Sequence, residues 1–190
     1  MASLLRPAVL LDRDGTLIVD RGYLSDPQQI VLETGAVDGL RALMAANVAL
    51  VVVTNQSGIG RRHFGISDAV QINQRLAALL FEHGVNIEGW YICPHVPGDN
   101  CECRKPAPGL AHQAARELGL DLKSSWVVGD KPSDVMLAEE IGAAGILVLT
   151  GEGAKHRDWA YTNGKTTCST LVEAATHIAT KSPVAMSQWR

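Results

Sequence analysis

The 190-residue sequence lacks several things whose absence is informative. No apolar run approaches the roughly 20 residues that a membrane helix needs. The most continuous one, "VALVVV" at Val48 to Val53, is far too short. Neither charge dominates: 17 Lys and Arg stand against 20 Asp and Glu, a net of −3, with the basic residues scattered. That removes the electrostatic case for nucleic acid or an anionic membrane as partner. The N-terminal "MASLLRPAVLLDRDGT" has no signal-peptide core, because Pro7 and then Asp12, Arg13 and Asp14 interrupt it. A cytoplasmic protein, kept in its reduced form, is the expectation. There are no internal repeats. The glycine pairs Gly58/Gly60 and Gly151/Gly153 lack the third glycine of a dinucleotide fingerprint, and neither leads to the lysine of a phosphate loop. One domain is expected over the whole chain, with its core over about residues 8–180 and a frayed tail beyond.

Cysteine is scarce but concentrated. Three of the four, Cys93, Cys101 and Cys103, share eleven positions with His95 in "CPHVPGDNCEC". Cys101 and Cys103 are too close to pair with each other, and a thiol nucleophile needs one sulfur, not three. Soft ligands spaced Cys-x-His-x5-Cys-x-Cys suit a closed, tetrahedral structural zinc site, with redox-active cysteines as the alternative. Cys168 lies apart in a polar stretch and reads as a bystander.

Short β-branched runs alternate with helical patterns. Ala8–Leu11, Val48–Val53, Gly89–Ile92, Trp126–Val128 and Ile146–Leu149 read as buried strands. Helices are predicted over Ala36–Ala46, Ser67–His83, Leu110–Leu118 and Ser133–Ile141, and again from Thr170. Gly84, Gly119 and Gly142 serve as stops, and Thr170 with Glu173 as a capping box. This alternation predicts an α/β fold with a doubly wound parallel sheet. Ligands in such folds sit at the carboxyl ends of the strands.

The residues just past each strand are therefore telling. "DRDGT" brings Asp12 and Asp14, and "TNQSG" brings Thr54, Asn55, Gln56 and Ser57. Arg104 and Lys105 come directly after the cysteine cluster, and "GDKPSD" supplies Asp130, Lys131 and Asp134. Each stretch alone has an ordinary reading as a turn or helix cap. The spacing after Asp12 does not fit a calcium loop, since Thr16 and Leu17 stand where its ligand and glycine belong. Together they gather carboxylates, cations and a hydroxyl on one rim. Converging carboxylates call for a hard cation such as Mg²⁺, and that set suits a transferring phosphoryl group.

"DRDGT", "TNQ", "RKP" and "GD" with a later Asp resemble, in order, the four motifs of the haloacid dehalogenase superfamily. The likeness spans about Leu10 to Leu149. The "CPH…CxCRKP" stretch is similar to that of its small, zinc-containing members without a large cap domain. This resemblance implies a Rossmann-like fold with a zinc-stapled loop. "VDRGYL" (Val19 to Leu24) and "TNQSGIGR" resemble the heptose-bisphosphate phosphatase branch more than the histidinol-phosphate phosphatase branch, although the short "VPGDN" is closer to the latter. The implied reaction is hydrolysis of the C7 phosphate of D-glycero-D-manno-heptose 1,7-bisphosphate, in heptose metabolism for lipopolysaccharide or a related glycan. Histidinol phosphate is the alternative substrate.

The resemblance also implies roles. Asp12 attacks phosphorus and forms an aspartyl-phosphate; a carboxylate is ionised at neutral pH and needs no activating base. Asp14 serves as acid and then base. Thr54 and Lys105 hold phosphoryl oxygens. Asp12, Asp130 and the backbone carbonyl of Asp14 hold Mg²⁺, with Asp134 behind them. Cys93, His95, Cys101 and Cys103 hold structural Zn²⁺. Arg104 anchors a second phosphate, and Asp20, Arg21, Gly22 and Tyr23 line the sugar side with Asn55, Gln56, Ser57 and Lys131 nearby. The expected partner is the small sugar bisphosphate alone, bound by a monomer. A non-catalytic zinc-binding adaptor is the reading from another class, and it would leave the carboxylates without purpose. The other five histidines are expected at the surface, and Trp126 and Trp159 in packing.

Overall fold

The computed structural model describes residues 5–181. Its centre is a six-stranded, wholly parallel sheet in the order β3-β2-β1-β4-β5-β6. The strands are β1 (Ala8–Leu11), β2 (Ala49–Asn55), β3 (Gly89–Cys93), β4 (Trp126–Gly129), β5 (Ala144–Val148) and β6 (Thr166–Cys168). Every residue of β1 and β4 is buried, as a sheet covered on both faces requires. Alternate side chains feed two cores. Val9, Leu11, Leu50, Val52 and Val128 face one layer, made by α1 (Ala36–Ala45), α3 (Ile66–Glu82) and α7 (Leu171–Lys181). Ala8, Leu10, Ala49, Val51 and Val127 face the other, made by α4 (Gly109–Leu118) and α5 (Pro132–Ile141). Leu10 and Leu76 are fully buried, and truncating such a leucine to alanine costs roughly 3 kcal/mol.

The predicted strands and long helices are all present, with ends shifted by one or two residues. Gly119 and Gly142 close α4 and α5 in the left-handed conformation, as predicted. At Gly84 the helix cap is the residue before it, His83. At α7, the Glu173 carboxylate accepts from the Ser169 backbone, one residue earlier than expected. Two short helices, α2 (Ser57–Gly60) and α6 (Arg157–Thr162), and strand β6 are additions. Cys168 stands apart from the other three cysteines, as expected, but not on a polar loop: it ends β6 and is 4% exposed in the core. β6 is three residues of "TTC", too polar and too short to show a buried pattern. Trp126 and Trp159 both pack against core residues, as expected. Among the described residues the connections carry no large cap domain, and no helix is long and apolar enough to cross a membrane. The tail expected after Lys181 lies outside the described residues.

The chain winds outward from β1 on one side and from β4 on the other. Their carboxyl ends therefore diverge into a crevice at the point where the strand order reverses.

Candidate active site

Asp12 follows β1 directly and is 6% exposed. Its Oδ1 accepts from the Lys105 ammonium at 2.6 Å. The same ammonium donates to the Val53 carbonyl at 2.7 Å and lies 2.7 Å from Asp134 Oδ1. Lys105 is itself buried, 4% exposed. Burial would push its pKa down, but the charges of Asp12 and Asp134 outweigh it and hold the ammonium above its usual range. Two hydrogen bonds and one close ion pair surround the ammonium, so the contact visible here fixes Asp12 more than it reaches toward a ligand.

Asp12, Asp130 and Asp134 place carboxylate oxygens within 4.8 Å of one another. Their balance is incomplete. Asp130 Oδ2 accepts from the Glu152 backbone N–H at 2.8 Å, whereas its buried Oδ1 has no hydrogen-bond partner, Lys131 being 3.8 Å away. Burial, then the charge of Asp12, pushes the Asp130 carboxyl up to about 7. An orphaned oxygen beside a second carboxylate fits a hard divalent cation. Asp134 is differently placed: Oδ2 accepts from the Lys131 N–H at the start of α5, and Oδ1 faces Lys105. It caps and braces, in line with its expected supporting role. Asp14, expected beside the cation through its backbone, keeps its side chain out of this trio.

The Asp14 carboxyl turns instead toward Arg13 and toward Gln56, whose Nε2 donates to it at 2.7 Å. Burial raises its proton affinity, with Arg13 pulling the other way. Gln56 also donates to Thr54 Oγ1 at 2.8 Å, leaving the Thr54 hydroxyl proton uncommitted. Asn55 pairs twice with the Lys105 backbone, at 3.0 and 3.1 Å. Asn55 and Gln56, expected among the substrate contacts, are therefore engaged in holding Lys105, Asp14 and Thr54. An amide has donor and acceptor to spare for a backbone unit, which makes it a good brace.

One cavity of about 270 Å³ unites most of the predicted residues, with Asp130 fully buried and outside its lining. Asp12, Asp14, Asp20, Gly22, Tyr23 and Thr54 line it with Asn55, Gln56, Ser57, Arg104, Lys105 and Lys131. Gly58, Ser133 and Asp134 complete the wall. Arg21, expected on the sugar side, is exposed and outside the lining. Lys131 reaches across to Asp20 at 3.2 Å, tying the loop after β1 to the end of β4.

The cysteine cluster lies at the end of β3. All three thiols are free, so the pairs are not disulfides. Their sulfurs are 3.3–3.7 Å apart, and His95 Nδ1 is 3.2 Å from Cys103 and 3.7 Å from Cys93. These separations approach the roughly 3.8 Å edge of a tetrahedron with 2.3 Å Zn–S bonds, so the donor set fits zinc. Burial pushes the Cys93 thiol up to about 12, which a bound cation must overcome. The cluster grips its surroundings through the backbone. His95 O accepts from Arg104 at 3.1 Å, Cys93 O from Gln56 N at 2.8 Å, and Pro94 O from Gly60 N at 2.9 Å.

Several residues were missed by inspecting only four strand ends. The fifth, after β5, clamps the site: Thr150 donates to the Gly15 carbonyl at 2.7 Å, and Glu152 supplies the N–H to Asp130. Gly15 and Gly151 both have positive φ, and a Cβ on either would strike Asp130. The rule that selected the other four ends would have found this one. His63 is at the surface as expected, and its ring also lies tilted against Tyr23 with centroids 4.3 Å apart. No spacing signals that contact.

Comparison with known proteins agrees with this geometry. A family model described as HAD-hydrolase-like matches residues 102–174. The D-glycero-β-D-manno-heptose-1,7-bisphosphate 7-phosphatase of Yersinia pestis is 41% identical over 167 residues, 80% of this chain and 88% of its own. The chain belongs to the haloacid dehalogenase (HAD) hydrolases, in their heptose-bisphosphate phosphatase branch. The enzyme of the same name from Helicobacter pylori (strain ATCC 700392 / 26695) is 41% identical over 130 residues, 68% of this chain and 75% of its own. Among solved structures, the D,D-heptose 1,7-bisphosphate phosphatase from B. bronchiseptica, complexed with magnesium and phosphate, superposes with a TM-score of 0.84. It is 30% identical and covers 93% of this chain and 99% of its own. The resemblance drawn from the four motifs is borne out, and so is the fold it implied.

Proposed function

We propose that the protein is a magnesium-dependent phosphatase that removes the C7 phosphate from D-glycero-β-D-manno-heptose 1,7-bisphosphate, leaving the 1-phosphate. The observation that carries the chemistry is the buried corner where Lys105 bridges Asp12 and Asp134 beside the orphaned Asp130 Oδ1. The substrate is the one in the names of the relatives.

Asp12 is the nucleophile, aimed by Lys105. Its oxygen forms a bond to phosphorus as the bond to the sugar oxygen breaks, and Asp14 gives that oxygen its proton. Water then attacks the aspartyl-phosphate, Asp14 takes a proton from it, and phosphate leaves with Asp12 restored. The Thr54 hydroxyl donates to a phosphoryl oxygen, and Lys105 contributes fixed positive charge behind Asp12. Asp12 and Asp130 would hold Mg²⁺, together with the Asp14 backbone carbonyl. When bound, the ion supplies charge that offsets the crowded carboxylates and the phosphoryl oxygens. Arg104 uses one donor on His95 O and keeps others for the retained phosphate, a task suited to a planar guanidinium. Asp20, Gly22, Tyr23, Ser57 and Lys131 line the sugar side. Cys93, His95, Cys101 and Cys103 would hold Zn²⁺ as a closed structural centre that fixes Arg104 and Lys105.

Phosphate release with magnesium should be at least about a hundredfold more efficient for the heptose bisphosphate than for histidinol phosphate. Testing both anomers of the sugar checks the β assignment. Preference for histidinol phosphate would keep the chemistry and overturn the substrate. No release from either would overturn the reading as a whole.

A further inference from the structure

Arg13 separates the two aspartates of the first motif, yet it lines no part of the cavity. Its side chain runs into the core and is 1% exposed. A buried guanidinium is costly unless its donors are met, and apolar residues usually fill such a place more cheaply. Here the donors converge on one carboxylate. Nε donates to Asp14 Oδ2 at 3.1 Å, and Nη2 donates to Oδ1 at 3.2 Å and lies 2.9 Å from Oδ2. That is a two-pronged grip on the group assigned above as acid and base.

The grip has a backstop on another element. Arg13 Nη1 donates at 3.0 Å to Oδ1 of Asn73, a buried residue in the middle of α3. The Asn73 amide nitrogen has no partner, although it is buried. Turning the amide over would set its N–H₂ against the guanidinium, so the orientation is dictated by Arg13. An orphaned donor in a core works against stability. α3 tolerates it in order to present an oxygen to Arg13. The remaining contact on Asp14, Gln56 Nε2 to Oδ2 at 2.7 Å, is neutral, and the Gln56 backbone is held by the Cys93 carbonyl.

We infer that Arg13, braced from α3 by Asn73, is a positioning residue for Asp14. It sets the direction from which the carboxyl meets the leaving oxygen, and it stays as the partner of the carboxylate once the proton has gone. The inference rests on the reading of Asp14 as acid and base. It has a consequence that a purely structural ion pair lacks. Sugar oxygens need a proton to leave, whereas p-nitrophenolate leaves without one. Loosening Asp14 must therefore slow formation of the aspartyl-phosphate from the sugar and spare its formation from p-nitrophenyl phosphate; the later step, in which Asp14 is the base, is common to both and does not enter kcat/KM.

The test compares kcat and KM of Asn73→Ala and Asn73→Asp with the parent enzyme, in magnesium, on the heptose bisphosphate and on p-nitrophenyl phosphate. Asn73→Asp keeps an acceptor for Nη1 and so protects the fold, but draws the guanidinium toward α3. Each variant should lose roughly 10- to 100-fold in kcat/KM on the sugar, with kcat/KM on p-nitrophenyl phosphate within about twofold. The ratio of the two rates is independent of how much enzyme is folded, so a destabilised variant still reports. Equal losses of kcat/KM on both substrates would make Asn73 and Arg13 structural only and overturn the inference. Unchanged rates on both would also overturn it. A parent enzyme that hydrolyses p-nitrophenyl phosphate but not the sugar would instead point to a wrong substrate, and an Asp12→Asn variant that still turns over either would overturn the underlying chemistry.

Discussion

Two clusters of side chains of metal-ligating type stand at the carboxyl edge of the sheet, and they are built in opposite ways. At the end of β3, three sulfurs and an imidazole nitrogen close on one another at 3.2–3.7 Å, and the four residues are a complete tetrahedral set. Three of those four are partly exposed. At the ends of β1 and β4, three buried carboxylates share one buried ammonium, with Lys131 3.8 Å from Asp130, and Asp130 Oδ1 has no hydrogen-bond partner. The saturated cluster has nothing left to offer a substrate and acts through its backbone on Arg104, Gln56 and Gly60. The unsaturated one is poised for a cation and an anionic ligand together. A site that does chemistry is left incomplete; a site that holds shape is closed.

The largest test of that contrast removes a group from the unsaturated side. Asp12→Asn should lower phosphate release by about 10⁴-fold or more while leaving the thermal midpoint near that of the parent. Residual turnover of even a few per cent would sink Asp12 as nucleophile. On the saturated side, Cys103→Ser should act on both stability and activity. A lower melting temperature is expected, with kcat/KM reduced about 10- to 100-fold because Arg104 and Lys105 lose their anchor. Loss of activity at unchanged stability would mean that the cluster takes part in the reaction directly.

The smallest effect concerns pH. In the metal-free protein the Asp130 carboxyl is held up at about 7 by burial and by Asp12. A carboxyl raised in the folded state binds more protons folded than unfolded between its ordinary value and about 7. Its contribution to metal-free stability therefore rises as pH falls through that window and is lost above it. Magnesium must displace the same proton. Its apparent affinity should weaken toward a limit of about tenfold for each pH unit below 7. Titrating magnesium at pH 8 and pH 6 checks this, and equal affinities would exclude Asp130 as a ligand.

Much of this was legible in advance, for identifiable reasons. The continuous apolar runs of β1, β2 and β4 signal strands covered on both faces, and the rule of carboxyl ends then points to Asp12, Thr54 and Asp130. The Cys-x-His-x5-Cys-x-Cys spacing is local and needs no fold to be read. β6 was hidden because three polar residues carry no periodicity, and it is held in place by pairing with β5. Arg13 was passed over because nothing in "DRDGT" shows which way its side chain turns.

The sequence by itself determined the order of the first five strands and the long helices, the two ligand sets and the chemistry they permit, because those depend on residue types at short spacing. Only the tertiary structure decided what each polar side chain is engaged with. It gave Asn55 to the Lys105 backbone, Gln56 to Asp14 and Thr54, Asp134 to Lys105, and Arg13 to Asp14 and Asn73. These partners lie up to 60 residues apart in the chain, as Arg13 and Asn73 do. Burial forces each such group to find a partner, and packing alone settles which one is within reach.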